Sequence, residues 1–313
     1  MSTIVSLLFL LVFLATGFIA GRLRILVESR GLDLFFSVVL YLLLLSMGLR
    51  LGQSRDVLSR LPEIGALAAA AAVSATLGTL LLQALAAPLY RRMPGFSVPE
   101  RQGNGGRRLS LLLENLKKPF FLLVFVVLGG FIGVALPPLA LLQDGSVSTW
   151  ILYALLFVIG VKMATDGHGL RAMLLSPSTL VLPSLTIAGT LAGSLVLIPL
   201  FGLTPGKALA MGSGFGWYSL SGVLIADRGA PVLGAAAFLA NLLRETLAFL
   251  LVPALRAGGR HESGVGICGA TSMDVTLPVL EDAWGPGVVP VAVAHGVLLS
   301  FLVPFLVPLF MSF

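Results

Sequence analysis

Eight apolar runs set the plan of this chain: Thr3–Ala20, Leu34–Leu51, Ile64–Leu85, Phe120–Leu136, Thr149–Ala164, Leu180–Leu200, Val232–Pro253 and Val288–Leu309. A helix crosses the hydrocarbon core of a bilayer with roughly 20 apolar residues, so each run predicts a membrane span. Two stretches break the pattern. Ala210–Gly222 and Gly264–Pro278 are rich in Gly, Ser and Thr, yet they fall among the last three apolar runs. Irregular backbone at membrane depth is tolerated only where protein buries it or where it lines a wet cavity. Short Gly-interrupted segments are also the best sequence pointer to a transporter's binding site. The expected fold is therefore an all-α polytopic membrane protein with about eight spans and two Gly-rich re-entrant or broken segments. Ten full crossings is the alternative.

The longest polar segment, Met93–Lys118, divides the chain, and the parts on either side resemble each other. Tyr41 to Arg50 matches Tyr153 to Lys162 at a spacing of 112, and Gly17-Phe18-Ile19 matches Gly130-Phe131-Ile132 at 113. Three spans per unit would invert the second unit relative to the first, as in many transporters. The expected organisation is a three-span repeat over 1–88 and a basic cytoplasmic loop over 89–118. A second three-span repeat over 119–201 and a substrate-binding region over 202–313 follow.

Composition narrows the class further. Only 11% of residues are charged, against about 25% in a soluble domain. The net charge of +6 comes from basic residues beside spans, which points to lipid head groups and not to nucleic acid. With eight spans, fourteen Lys and Arg fall on one side and five on the other, leaving Arg244 inside a span. The positive-inside rule then puts both termini outside and the long loop in the cytoplasm. Cys268 is the only cysteine, which excludes an internal disulfide and a multi-Cys metal site. There is no HExxH or GxSxG motif to support an intramembrane hydrolase. Neither a cofactor nor a metal is expected.

Two acidic residues stand apart from the others, which lie in loops or at span ends: Glu245, in mid-span, and Asp274, in the second Gly-rich stretch. A charge at the bilayer centre costs about 2.5–3.5 kcal/mol on insertion scales, and such residues usually line substrate or proton pathways. The alternatives are an ion pair with Arg244 for Glu245 and a helix cap for Asp274. Asn241 lies four residues before Glu245, so the two share a helix face with Gly234 and Phe238. Gly214 and Gly216, like Gly266 and Gly269, free the backbone to unwind. Around them Ser219, Ser221, Thr271 and Ser272 are candidate polar contacts, in the shared pattern Gly216-x-x-Ser219-x-Ser221 and Gly269-x-x-Ser272-x-Asp274. Trp217 and Tyr218 read either as interfacial anchors or as a pocket wall. His295 and Cys268 read as structural residues. From the residues alone, the chain is a cation-handling transporter.

These stretches carry a family resemblance. Gly214-Phe-Gly-Trp-Tyr-Ser-Leu-Ser-Gly222, Asn241-Leu-Leu-Arg-Glu245, Gly269-Ala-Thr-Ser-Met-Asp274, Thr276-Leu-Pro278 and Val293-Ala-His-Gly296 together resemble the bacterial lysine exporters of the LysO type. The resemblance is strong over the last third of the chain. It implies export of L-lysine and lysine analogues across the inner membrane, an eight-span layout with both termini outside, and a functional acidic pair at Glu245 and Asp274. Proton antiport is the expected coupling, with protons and membrane lipid as the other partners. The alternatives are a sodium/proton or organic-ion carrier of similar architecture, or a non-transporting membrane assembly subunit. Glu281-Asp282 departs from the family pattern and adds negative charge after the second stretch.

Overall fold

The computed structural model describes residues 3–24, 30–53, 58–90, 121, 124–136, 146–165, 177–256 and 259–313. The basic segment Met93–Lys118 lies outside these. The described residues form helices and turns. The first group is α1 (Thr3–Arg22), α2 (Arg30–Gln53), α3 (Leu61–Leu85) and the short α4 (Ala87–Tyr90). Next come α5 (Val124–Ala135), α6 (Ser146–Thr165) and α7 (Pro177–Ser194), which continues after a turn as α8 (Leu197–Phe201). The last group is α9 (Pro205–Gly212), α10 (Tyr218–Ala226), α11 (Pro231–Arg256), α12 (His261–Cys268), α13 (Leu277–Trp284) and α14 (Val289–Phe310). Each of the eight apolar runs falls on a helix. Among the described residues α2, α3, α7 with α8, α11 and α14 are long and apolar enough to cross a membrane. The outward faces are apolar, with Leu77, Leu81, Phe131, Trp150 and Leu200 exposed, while Thr79, Gln83, Asn241 and Glu245 are buried. That inverted polarity belongs to a protein solvated by lipid.

The helices before residue 202 pack in matched pairs. Gly17 and Gly21 of α1 press against the backbone of Phe157 and Val161 on α6. Gly129 and Gly133 of α5 press in the same way against Leu45 and Leu49 on α2. Positions 17 and 129 differ by 112, as do 45 and 157, so one contact maps onto the other when the halves are exchanged. Aromatic stacking repeats the relation: Phe13 lies on Tyr153 with centroids 4.8 Å apart, and Phe125 lies on Tyr41 at 4.6 Å. The third helices meet each other. Gly78 faces Gly189, and the Thr79 and Thr190 hydroxyls are 2.9 Å apart. Gly78 and Thr79 thus sit against Gly189 and Thr190 at a spacing of 111, one short of the 112 that relates the first two pairs. Small residues permit such close backbone approach where lipid offers no hydrophobic drive for helix pairing.

Both Gly-rich stretches fold back as hairpins. Gly206 of α9 lies against Phe310 and Phe313, and Gly234, near the start of α11, lies against Gly222 and Ala226 of α10. Both limbs of this hairpin therefore sit at the end where α11 begins and α14 finishes. The second hairpin sits at the opposite end. Gly264 of α12 lies against the Trp284 ring of α13, and both limbs pack with Phe249 and Val252 in the last half of α11. Each stretch returns to the end it came from, which matches eight spans with two re-entrant segments.

Candidate functional site

The tips of the two hairpins meet midway along α11. The Ala270 N–H donates to the Phe215 carbonyl at 2.8 Å, joining one tip to the other. This contact needs unusual backbone on both sides. Gly269 has φ +63° and Gly216 has φ +98°, a region that side chains other than hydrogen resist. The Phe215 carbonyl occupies the place where a Cβ on Gly269 would sit. Phe215 itself has φ +46°, a rare conformation for a large residue. Its side chain is fully buried, so packing holds the tip in this shape.

Asn241 holds the first tip. Its Oδ1 accepts from the Gly216 N–H at 2.7 Å, and its Nδ2 donates to Ser221 Oγ at 3.1 Å and to the Ala237 carbonyl at 2.9 Å. A Cβ on Gly214 would meet this amide and Ser221, so Gly214 leaves room for the contact. Ser221 also donates to the Trp217 carbonyl at 2.9 Å, and Ser219 is buried beside it. In the second tip, Thr271 donates to the Cys268 carbonyl at 2.8 Å. Tyr218 is buried edge-on against Phe238, with centroids 5.6 Å apart, whereas Trp217 is half-buried.

One turn beyond Asn241 lies Glu245. It is 1% exposed, and neither carboxylate oxygen has a hydrogen-bond partner among the described residues. Asp274 is exposed at the second tip, where its Oδ1 accepts from the Val275 N–H at 2.5 Å. Glu245 lies one turn beyond the residue that holds the first tip, and Asp274 closes the second tip. The fold thus brings both predicted acidic residues to one place, one buried and one open. No ion pair joins Glu245 to Arg244 among the described residues, because successive helix positions point about 100° apart.

A second polar chain reaches the same tip from the end of α4. The Tyr90 hydroxyl donates to Gln83 Oε1, and Gln83 Nε2 donates to Thr186 Oγ1 at 2.9 Å. Thr186 Oγ1 is 3.0 Å from His295 Nε2, and His295 Nδ1 is 3.0 Å from Ser272 Oγ, which donates to the Ala292 carbonyl at 2.8 Å. A neutral imidazole with its proton on Nδ1 satisfies the whole chain. Gly266 packs on Gln83 and Thr186, where a side chain would push into this network. The sequence reading passed over Phe215, Gln83 and Thr186. The signal for the last two was available, since Thr79 with Gln83, and Thr186 with Thr190 and Ser194, repeat every four residues in apolar spans and so form polar stripes.

The chain matches the family model described as lysine exporter LysO over residues 11–99 and 123–311. It is 37% identical over 306 residues to lysine exporter LysO of Escherichia coli strain K12, covering 97% of this chain and 98% of that protein. It is 31% identical over 192 residues to a putative lysine exporter of Haemophilus influenzae, covering 61% of this chain and 97% of that protein. No solved structure matches it. With a membrane fold, two glycine-tipped hairpins meeting at a carboxylate pair, and a family match on both sides of the basic loop, this chain belongs to the lysine exporter LysO family.

Proposed function

We propose that this protein exports L-lysine across the bacterial inner membrane in exchange for protons. The observation that carries this reading is Glu245, a buried carboxylate with no hydrogen-bond donor or ion pair among the described residues, at the meeting point of the two hairpins. A bare charge in that setting is strongly disfavoured, so a cation must neutralise it. A proton and a substrate ammonium group are the two candidates. Asp274, exposed at the tip of the second hairpin, meets an approaching ammonium first. Two carboxylates suit a substrate that carries two amino groups. Asn241, Ser219, Ser221, Thr271 and Ser272 shape the tips, and Tyr218 with Trp217 provides a wall for an alkyl chain.

The cycle follows from competition at Glu245. Facing the cytoplasm, the carboxyl group loses its proton and binds the lysine ammonium. Facing outward, it releases lysine and takes up a proton. The units 1–88 and 119–201 act as the two inverted halves of the frame, with both termini outside and 202–313 carrying the substrate region. Proteoliposomes with an imposed pH gradient test this directly. Labelled lysine is expected to flow against the proton gradient, and Glu245→Gln and Asp274→Asn, each normally inserted, are expected to lose about tenfold or more of that flux. Flux at the unmodified level in both variants would remove the carboxylates from the mechanism. Absence of lysine flux in the intact protein would overturn the substrate.

A further inference from the structure

Arg244 is the buried charge that the exchange cycle leaves unused. It is 2% exposed, and it points away from its neighbour Glu245 toward oxygen atoms. Its Nε is 3.4 Å from the Ile267 carbonyl, and its Nη2 is 3.5 Å from the Gly266 carbonyl and 3.4 Å from Thr79 Oγ1. Its Nη1 has no hydrogen-bond partner among the described residues, and Arg244 borders a small cavity that Gly212, Ser194 and Asn241 also line. Gly266 and Ile267 belong to the last turn of α12, and Gly212 closes α9. The first limb of the second hairpin therefore ends on this group, and the first limb of the opposite hairpin ends at the cavity beside it. Thr79 in turn contacts Thr190 of α7, so the guanidinium also lies where α3 and α7 meet.

Each helix C-terminus carries the equivalent of about half a negative charge. The end of α12 on the buried Arg244, with the end of α9 across the small cavity, makes a cation site, the kind of place where broken helices hold coupling ions. The contacts from Arg244 are long for hydrogen bonds. Attraction between a full charge and converging carbonyl dipoles is what fixes it there. We propose that Arg244 is a tethered cation filling the point where the two half-helices converge, so that the carrier needs no sodium ion at that place. This adds the identity of the coupling ion to the transport reading and rests on that reading for its flux measurements.

The test compares the intact protein with Arg244→Ala, Arg244→Lys and Arg244→Met, in sodium chloride and in choline chloride. Lysine flux in the intact protein and in Arg244→Lys is expected to agree between the two salts within about twofold. Arg244→Ala, which vacates the carbonyls, is expected to lose about tenfold or more of its flux in choline and to recover part of it in sodium. Arg244→Met fills the space without the charge and is expected to be inactive in both salts. Thermal melting in detergent reads the site without reference to lysine: sodium, and not choline, is expected to stabilise Arg244→Ala and to leave the intact protein unchanged. An intact protein that requires sodium, a folded Arg244→Ala whose melting ignores sodium, or full flux by Arg244→Met in choline would overturn the proposal. If lysine is not the substrate, the intact protein shows no flux in either salt, while the melting response still reports on Arg244.

Discussion

Glu245 and Asn241 sit one turn apart on α11 and do different work. Asn241 spends its amide on the backbone of the first tip, whereas the Glu245 carboxylate has no hydrogen-bond partner among the described residues. Replacing Asn241 by Ala leaves the buried Gly216 N–H without an acceptor, at a cost of about 1–3 kcal/mol. Its melting temperature in detergent is expected to fall together with lysine flux. Glu245→Gln, which removes charge from a site with no matched partner, is expected to lose flux while keeping its melting temperature. Glu245 and Asp274 stand out in the sequence because a carboxylate among apolar or glycine-rich residues is expensive and therefore conspicuous. The role of Asn241 was not legible there, since a helix face says which residues are neighbours and not which backbone group they reach. Phe215 was invisible for a related reason: its left-handed backbone is imposed by the opposing tip, and nothing in a Phe codon position announces it.

At the scale of elements, the hairpin tips give a graded prediction. At Gly216 the nearest atom to an added Cβ is the Cys268 carbonyl oxygen at 3.4 Å, which is ordinary contact, so Gly216→Ala bears only the left-handed backbone cost of roughly 1–2 kcal/mol. At Gly269 the added Cβ collides with the Phe215 carbonyl that joins the tips. Gly269→Ala is expected to lower the melting temperature more than Gly216→Ala and to abolish flux. Equal effects would contradict the packing of the crossing. The pairing of α3 with α7 is open to a direct check. In a Cys268→Ala background, Thr79→Cys with Thr190→Cys is expected to cross-link on mild oxidation, because the native hydroxyls are 2.9 Å apart. The spans themselves were readable from apolar length alone. The pairing of α1 with α6 and of α2 with α5 was not, because glycines on an apolar helix mark a close approach without naming the partner. The spacing of 112 between similar stretches recurs in the α1–α6 and α2–α5 contacts.

For the whole molecule, one carboxyl group that holds either a proton or a lysine cation exchanges one positive charge for another. Lysine flux in proteoliposomes is then expected to follow a pH gradient and to change by less than about twofold when a potassium diffusion potential is imposed. The side on which the cycle begins follows from the proposed orientation, with both termini outside. The most direct test of the account is a calorimetric titration of the purified protein with L-lysine in buffers of different ionisation enthalpy, which counts the protons that leave as lysine binds. The account predicts release of about one proton per lysine bound, lost in Glu245→Gln, as linkage at a shared carboxyl requires. A binding heat that is the same in every buffer would show that lysine and the proton do not compete, and would contradict exchange at Glu245.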